Sequence, residues 1–258
     1  MRLCVDTRVG KGWAKGLTAA TDPRVARMAE ARRGKRRGRH RLRRSPVWNW
    51  TLEIAYAVGL LATDGNLSPS GRHISVSSAE REVLETFLRC VDRRAKISQV
   101  EGGFGTNGLR VQVGDVGFYR WLQSIGLTPR KSLTLGSIAV PDDVLAHLLR
   151  GLIDGDGSII DTSYDGTGNA RGRRYRTLLV RFNTASREHA EWVRERIKAR
   201  YGLSGGLFCE DGMYQLTYAK RPSLQLLPLL YSSNDVPCIH RKREVWQNFV
   251  RQGGQVSR

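Results

Sequence analysis

Two stretches decide the reading of this chain: Ala57-Val58-Gly59-Leu60-Leu61-Ala62-Thr63-Asp64-Gly65 and Leu149-Arg150-Gly151-Leu152-Ile153-Asp154-Gly155-Asp156-Gly157. They superpose at a shift of 92, which pairs Gly59 with Gly151, Asp64 with Asp156 and Gly65 with Gly157. Each is the end of an apolar, helix-forming run closed by an Asp-Gly turn signal. A glycine inside a helix costs ~1 kcal/mol relative to alanine. Close approach of a second helix is a physical reason to keep one, so Gly59 and Gly151 are expected to let the two helices pack backbone against backbone. Asp64 and Asp156 then sit at helix C-termini, where the dipole is already negative. Two such helices side by side bring two acids together. A divalent cation relieves both penalties, and oxygen ligands suit Mg²⁺. Asp154 has Ala62 as its counterpart, which leaves it outside the symmetric pair in a structural or auxiliary role.

The self-similarity extends outward from these runs. Ile74-Ser-Val-Ser-Ser-Ala79 matches Val180-Arg-Phe-Asn-Thr-Ala185 at a shift of 106, and Leu109-Arg-Val-Gln-Val113 matches Tyr214-Gln-Leu-Thr-Tyr218 at 105. The extra residues of the second copy are expected in a Gly- and Arg-rich loop between Asp161 and Arg174. Both copies end on Arg-Lys, at Arg130-Lys131 and Arg241-Lys242. Period-2 alternation puts Ile74, Val76, Val111, Val113, Val180, Phe182, Leu216 and Tyr218 on apolar faces. The opposite, polar faces carry His73, Ser75, Arg110, Gln112, Arg181, Asn183, Gln215 and Thr217. That is the pattern of antiparallel sheets with one solvated side, their apolar side covered by helices over 80–91 and 187–201. The expected division is an arm over 1–47, a first repeat over 48–140 and a second over 141–258.

Charge is concentrated at one end. Lys and Arg number 43 and Asp and Glu 24, a net of +19. Residues 1–50 hold 15 basic and 3 acidic side chains, so +12 of the +19 lies there. The densest run, 32–44, includes Arg32, Arg33, Lys35, Arg36, Arg37 and Arg39 and has no core-forming face. It reads as a basic arm that lies along a nucleic-acid backbone. Upstream, an Asp22-Pro23 start predicts a short capped helix. No apolar run approaches a membrane span, and the N-terminus has no apolar signal core. Four scattered cysteines without a CxxC pair argue against a zinc site or a disulfide framework. The expected setting is cytoplasmic, with a polyanionic partner and no membrane. His73, His147, His189 and His240 show no ligand spacing and are read as surface or helix residues.

The two Asp-Gly motifs resemble the paired signatures of the LAGLIDADG homing endonucleases in their single-chain, two-motif form. Seven of nine letters match in the second motif and four in the first, which departs at Ala57, Val58, Leu61, Ala62 and Thr63. The resemblance covers roughly residues 50–250. It implies an α+β fold of two pseudo-symmetric αββαββα repeats, with motif helices at the interface and saddle-shaped sheets in the DNA major groove. It implies a site-specific, monomeric endonuclease that hydrolyses phosphodiester bonds of double-stranded DNA over a long recognition site. Two or three Mg²⁺ ions would be held by Asp64 and Asp156 with the carbonyls of Thr63 and Gly155. The family's strand-end basic residue maps to Lys220 as a further catalytic group. Its counterpart in the first copy is Asp115, a departure that bears on whether both strands are cut equally well. Two rival readings use the same basic surface: a non-catalytic DNA-binding regulator on a degenerate domain, and an RNA-splicing maturase.

Overall fold

A computed structural model describes residues 16–32, 47–101, 107–165 and 171–253. The chain divides into two compact units, Met1–Arg44 and Ser45–Arg258. In the first unit helix α1 (Pro23–Arg32) starts as expected: Pro23 follows Asp22, whose Oδ1 accepts the Arg24 N–H at 2.8 Å. Arg33, Lys35, Arg36, Arg37 and Arg39 lie outside the described residues. Arg32 closes α1, and its side chain is likewise outside them.

The second unit consists of two matched halves. The first runs α2 (Leu52–Thr63), β1 (Gly65–Leu67), β2 (His73–Ser78), α3 (Arg81–Cys90), β3 (Ser98–Glu101), β4 (Asn107–Gly114) and α4 (Val116–Ser124). The second runs α5 (Leu145–Asp154), β5 (Ser158–Asp165), β6 (Arg174–Thr184), α6 (Arg187–Tyr201), β7 (Gly206–Glu210), β8 (Met213–Tyr218) and α7 (Lys220–Leu230), with α8 (His240–Arg251) after it. Each half folds its strands into an antiparallel sheet of the same order, β1-β2-β4-β3 and β5-β6-β8-β7. The αββαββα order and the two sheets are those expected.

Helices α2 and α5 form the seam. Thr51 caps α2 by accepting the Ile54 N–H at 3.2 Å. From Ile54 to Ala62 every α2 residue is buried, as is every α5 residue from His147 to Asp154. Helices buried all round are core elements, not surface ones. The glycines set their separation. A methyl group on Gly59 would lie 2.4 Å from the Leu148 carbonyl oxygen and 2.7 Å from the Gly151 Cα. One on Gly151 would lie 2.3 Å from the Tyr56 carbonyl oxygen.

The sheets pack by alternation. Ile74, Val76, Val111 and Val113 are buried on one face of the first sheet, and Val180, Phe182, Leu216 and Tyr218 on one face of the second. Helices α3 and α6 pack on these faces through Val83, Leu84 and Phe87 and through Val193 and Ile197.

One expectation is corrected. Strand β5 runs into the insertion as far as Asp165 and β6 begins at Arg174, so the expected loop is shorter than 161–174. β5 pairs with β6 over eight residue pairs, from Ser158↔Arg181 to Asp165↔Arg174, whereas β1 pairs with β2 over three. Only 166–170 of the insertion lie outside the described residues. Thr162 and Tyr164, β-branched and aromatic, lie in the part that continues β5.

Candidate functional site

Asp64 and Asp156 emerge from the C-terminal ends of α2 and α5, one from each half. The backbone at Gly155 makes their approach possible. A Cβ there would fall 1.9 Å from the Thr63 Oγ1 and 3.1 Å from the Asp64 Oδ2, so the second half's turn lies directly against the first half's acid. Burial pushes the Asp64 carboxyl up to about 6, and the nearby Asp156 charge adds to the rise. Burial raises Asp156 as well.

Two buried lysines oppose that rise. Lys131 and Lys242 are 4% and 7% exposed. The Lys131 ammonium donates to the carbonyl oxygens of Gly65 at 2.7 Å and Thr63 at 3.3 Å. The Lys242 ammonium donates to Ile153 at 2.7 Å, Asp154 at 2.8 Å, Gly157 at 2.9 Å and Gly155 at 3.0 Å. Each thus satisfies carbonyls at the end of its own half's motif helix, where the backbone has no helical partner left and the dipole favours a cation. Both ammonium charges hold the two acids down, and the two acids in turn pull up the Lys131 pKa, which burial brings to about 8. These lysines are the second members of the recurrent Arg-Lys pairs. In sequence such a pair looks like an ordinary surface feature at a helix start. Its repetition at matched places was the available signal.

The donor set suits a hard cation. Mg²⁺ is commonly held by one or two carboxylates and takes the rest of its shell from phosphate oxygens and water. Asp64 and Asp156 supply the carboxylates, and among the described residues no group of three or more His, Cys, Asp or Glu side chains forms a metal site. The Thr63 and Gly155 carbonyls expected to share the cation already accept from Lys131 and Lys242. Each keeps a second lone pair. The pair therefore fits a cation completed by a bound phosphate, not an all-protein cage.

Lys220 follows β8 by two residues. It is the first residue of α7, and its ammonium stands 5.6 Å from the Phe249 ring centroid, on α8. The matched Asp115 caps α4, accepting the Phe118 N–H at 2.9 Å and pairing with Arg93 at 2.8 Å. The position read as a strand end is the start of the following helix in both halves.

The remaining expected residues assemble on the two sheet faces opposite the core. In the first sheet Ser75 pairs with Gln112 and Ser77 with Arg110, while His73 is exposed opposite Gly114. Arg110 Nε donates to Ser77 Oγ at 3.0 Å. In the second, Arg181 pairs with Thr217 and Asn183 with Gln215. Asn183 Nδ2 also donates to the Asp156 carbonyl at 2.8 Å, which joins this face to the acidic pair. Arg181 Nε and Asn183 Oδ1 are buried with no partner among the described residues. The second face is less polar than expected, because Ile160 and Leu179 pair on it.

Asp154 is structural, as expected from its lack of a counterpart. Its carboxylate accepts from Tyr56 Oη at 2.9 Å, Ile239 N at 2.8 Å and Tyr231 Oη at 3.3 Å, and burial lifts its pKa to about 6. Arg150, fully buried on the same helix, donates to the Pro237 carbonyl at 2.6 Å, the Leu230 carbonyl and His147 Nδ1. His147 and His189 are buried, not at the surface, and burial brings both pKa values down to about 4.

Among the described residues no helix is long and apolar enough to cross a membrane, and Cys90, Cys209 and Cys238 are free thiols. No protein-family profile matches the chain. One A-type ATP synthase polypeptide of Methanopyrus kandleri is 24% identical over 208 residues, a match that covers 80% of this chain and 18% of that protein. This chain therefore spans under a fifth of that relative's length. Among solved structures, meganuclease I-SmaMI bound to uncleavable DNA superposes with a TM-score of 0.52 at 12% identity, over 78% of this chain and 90% of that one. The I-LtrWI LAGLIDADG homing endonuclease bound to target DNA gives 0.51 at 11%, over 78% and 89%. Full-length WhiA from Thermatoga maritima gives 0.50 at 13%, over 83% of this chain and 65% of that one.

Proposed function

We propose, from the premise that this chain has the LAGLIDADG fold, that it binds double-stranded DNA over a long site and cleaves both strands with a divalent metal, Mg²⁺ foremost. The observation that carries this reading is the acidic pair. Asp64 and Asp156 come from opposite halves at one seam, and the Asp156 charge raises the Asp64 carboxyl although two ammonium groups oppose it. The DNA-bound state of two solved structures with this fold, I-SmaMI and I-LtrWI, supports the partner.

Asp64 and Asp156 would hold the metal, which supplies an activated water and charge stabilisation for the phosphoryl group. The protein's own residues prepare the place. Lys131 and Lys242 fix the two Asp-Gly turns through six carbonyl contacts and balance the acids before DNA arrives. Asn183 ties the Asp156 carbonyl to the second sheet, so that an approaching duplex and the acids share one frame. Arg110, Gln112, Arg181 and Gln215 present donors of the types that read base edges or phosphates.

The test is the DNA flanking this chain's gene, joined as though the insertion were absent, incubated with purified protein and Mg²⁺. The expected result is a double-strand break that Asp156→Asn abolishes while leaving DNA binding intact. Cleavage by Asp156→Asn at the wild-type rate would sink the catalytic assignment. A second reading, DNA binding without cleavage, is favoured by one observation: Lys131 and Lys242 already satisfy the Thr63 and Gly155 carbonyls. Tight duplex binding with no cut in Mg²⁺ or Mn²⁺ would select it.

A further inference from the structure

The two sheets do not present equivalent faces to a partner. None of β1–β4 contains a Phe, Tyr or Trp. The second sheet carries three exposed aromatic side chains on the same face as Arg181 and Gln215. Tyr164 and Tyr175 are 57% and 37% exposed and directly paired across β5 and β6. Their positions share the parity of Ser158 and Arg181, the first pair of that ladder. Phe208, 64% exposed, sits opposite Gln215 across β7 and β8. Ile160 and Leu179 lie between Arg181 and the tyrosines on this face.

The second face is also longer. Five more residue pairs at about 3.4 Å each extend its first hairpin by about 17 Å, equivalent to about five base pairs of duplex. Arg171 and Arg173 are exposed beside its described end. Aromatic carbon flanked by arginine suits a polyanion that also offers apolar groups. In the major groove the apolar group is the thymine C5-methyl. Stacking of unpaired bases is the alternative use of exposed aromatics. The two tyrosines, however, already stack on each other, with centroids 5.6 Å apart and planes 23° from parallel. Part of their ring faces is therefore taken, and their outer surfaces suit methyl contact better than intercalation.

We propose that the second sheet reads the longer, thymine-bearing flank of an asymmetric DNA site, with Tyr164, Tyr175 and Phe208 contacting thymine methyl groups. This rests on the DNA-binding reading above. The experiment selects duplexes from a random 40-base-pair library with the wild-type protein. An iron chelate coupled to the exposed Cys209, with Cys4 replaced by Ser, marks the flank under the second half. Thymines are then replaced by uracil, one flank at a time. The expected result is a selected site that runs about five base pairs further on the marked flank. Affinity there should fall about fourfold per methyl removed, with less than a twofold change on the other flank. Equal losses on both flanks, or none on the marked one, overturn the proposal. So does preference for random single-stranded DNA or RNA over duplex, which would make the aromatics a stacking surface. Failure to enrich any duplex is a different result: it removes the DNA-binding reading itself, and the flank assignment with it.

Discussion

Lys242 holds the Gly155 carbonyl oxygen at 3.0 Å, the group expected to help hold a cation beside Asp64. One ammonium group thus closes the end of α5 and opposes the charge of both acids. The electrostatic problem read from the sequence, two acids at two helix C-termini, has an answer inside the protein before any metal binds.

Removing that ammonium leaves four carbonyl oxygens without their donor in a buried place. Lys242→Met is expected to destabilise the fold by roughly 3 kcal/mol or more. Lys131→Met removes only two such contacts and is expected to cost about half as much. Urea unfolding of both variants tests the order, and equal midpoints for the two would refute it.

The glycine contact gives a prediction with an unusual sign. In an exposed helix, Gly→Ala stabilises by about 1 kcal/mol. At Gly151 the added methyl meets the Tyr56 carbonyl at 2.3 Å, which is backbone and cannot rotate away. Gly151→Ala is therefore expected to destabilise by about 1–3 kcal/mol, the usual range for overpacking. Thermal or denaturant unfolding reads the sign directly.

Protons and metal compete for Asp64. Its carboxyl takes up a proton at about pH 6 in the metal-free protein, because burial and the Asp156 charge disfavour the ionised form. A divalent cation needs that ionised form. Mn²⁺ affinity is expected to fall about tenfold per pH unit below 6, the limit for one competing proton, and to level off above it. Calorimetric titration between pH 5 and 7.5 checks this. An affinity independent of pH across that window would place the metal away from Asp64.

Lys220 is expected to matter little. Lys220→Met forfeits a cation–π contact worth about 0.5–1 kcal/mol and should leave the DNA cleavage rate within twofold of wild type. A loss of a hundredfold or more would place Lys220 at the reacting phosphate.

Much of this architecture was legible because it rests on periodicity and repetition. The pairing of Gly59 with Gly151, the alternation at Ile74 and Val180, and the shared frame of Asp64 and Asp156 all appear as spacings. Lys131 and Lys242 were not legible as buried groups. A lysine with arginine beside it carries no local sign that four carbonyls converge on its tip. The length of the hairpin of β5 and β6 was obscured for a related reason: residues 161–165 adjoin a Gly- and Arg-rich stretch and read as part of its loop until their partners are known. Lys220 was read at a strand end and is the first residue of the following helix, since the boundary between the two leaves no trace in alternation alone. His147 and His189 have polar names, yet they occupy buried faces of their helices, where packing decides.

The hydrogen bond from Tyr56 to Asp154 makes the halves a lock and key of unlike parts. Asp154 belongs to the second half and depends on a hydroxyl from the first. The second half's own counterpart of Tyr56 is Leu148, which has no hydroxyl, and the first half's counterpart of Asp154 is Ala62. Two second halves brought together would leave each Asp154 with only its own half's donors, Ile239 N and Tyr231 Oη. Two first halves would leave two tyrosine hydroxyls facing methyl groups. If the chain were cut between its halves, only the pairing of unlike fragments would restore the bond from Tyr56 to Asp154. The duplication that built the molecule has lost its interchangeability at a single buried contact.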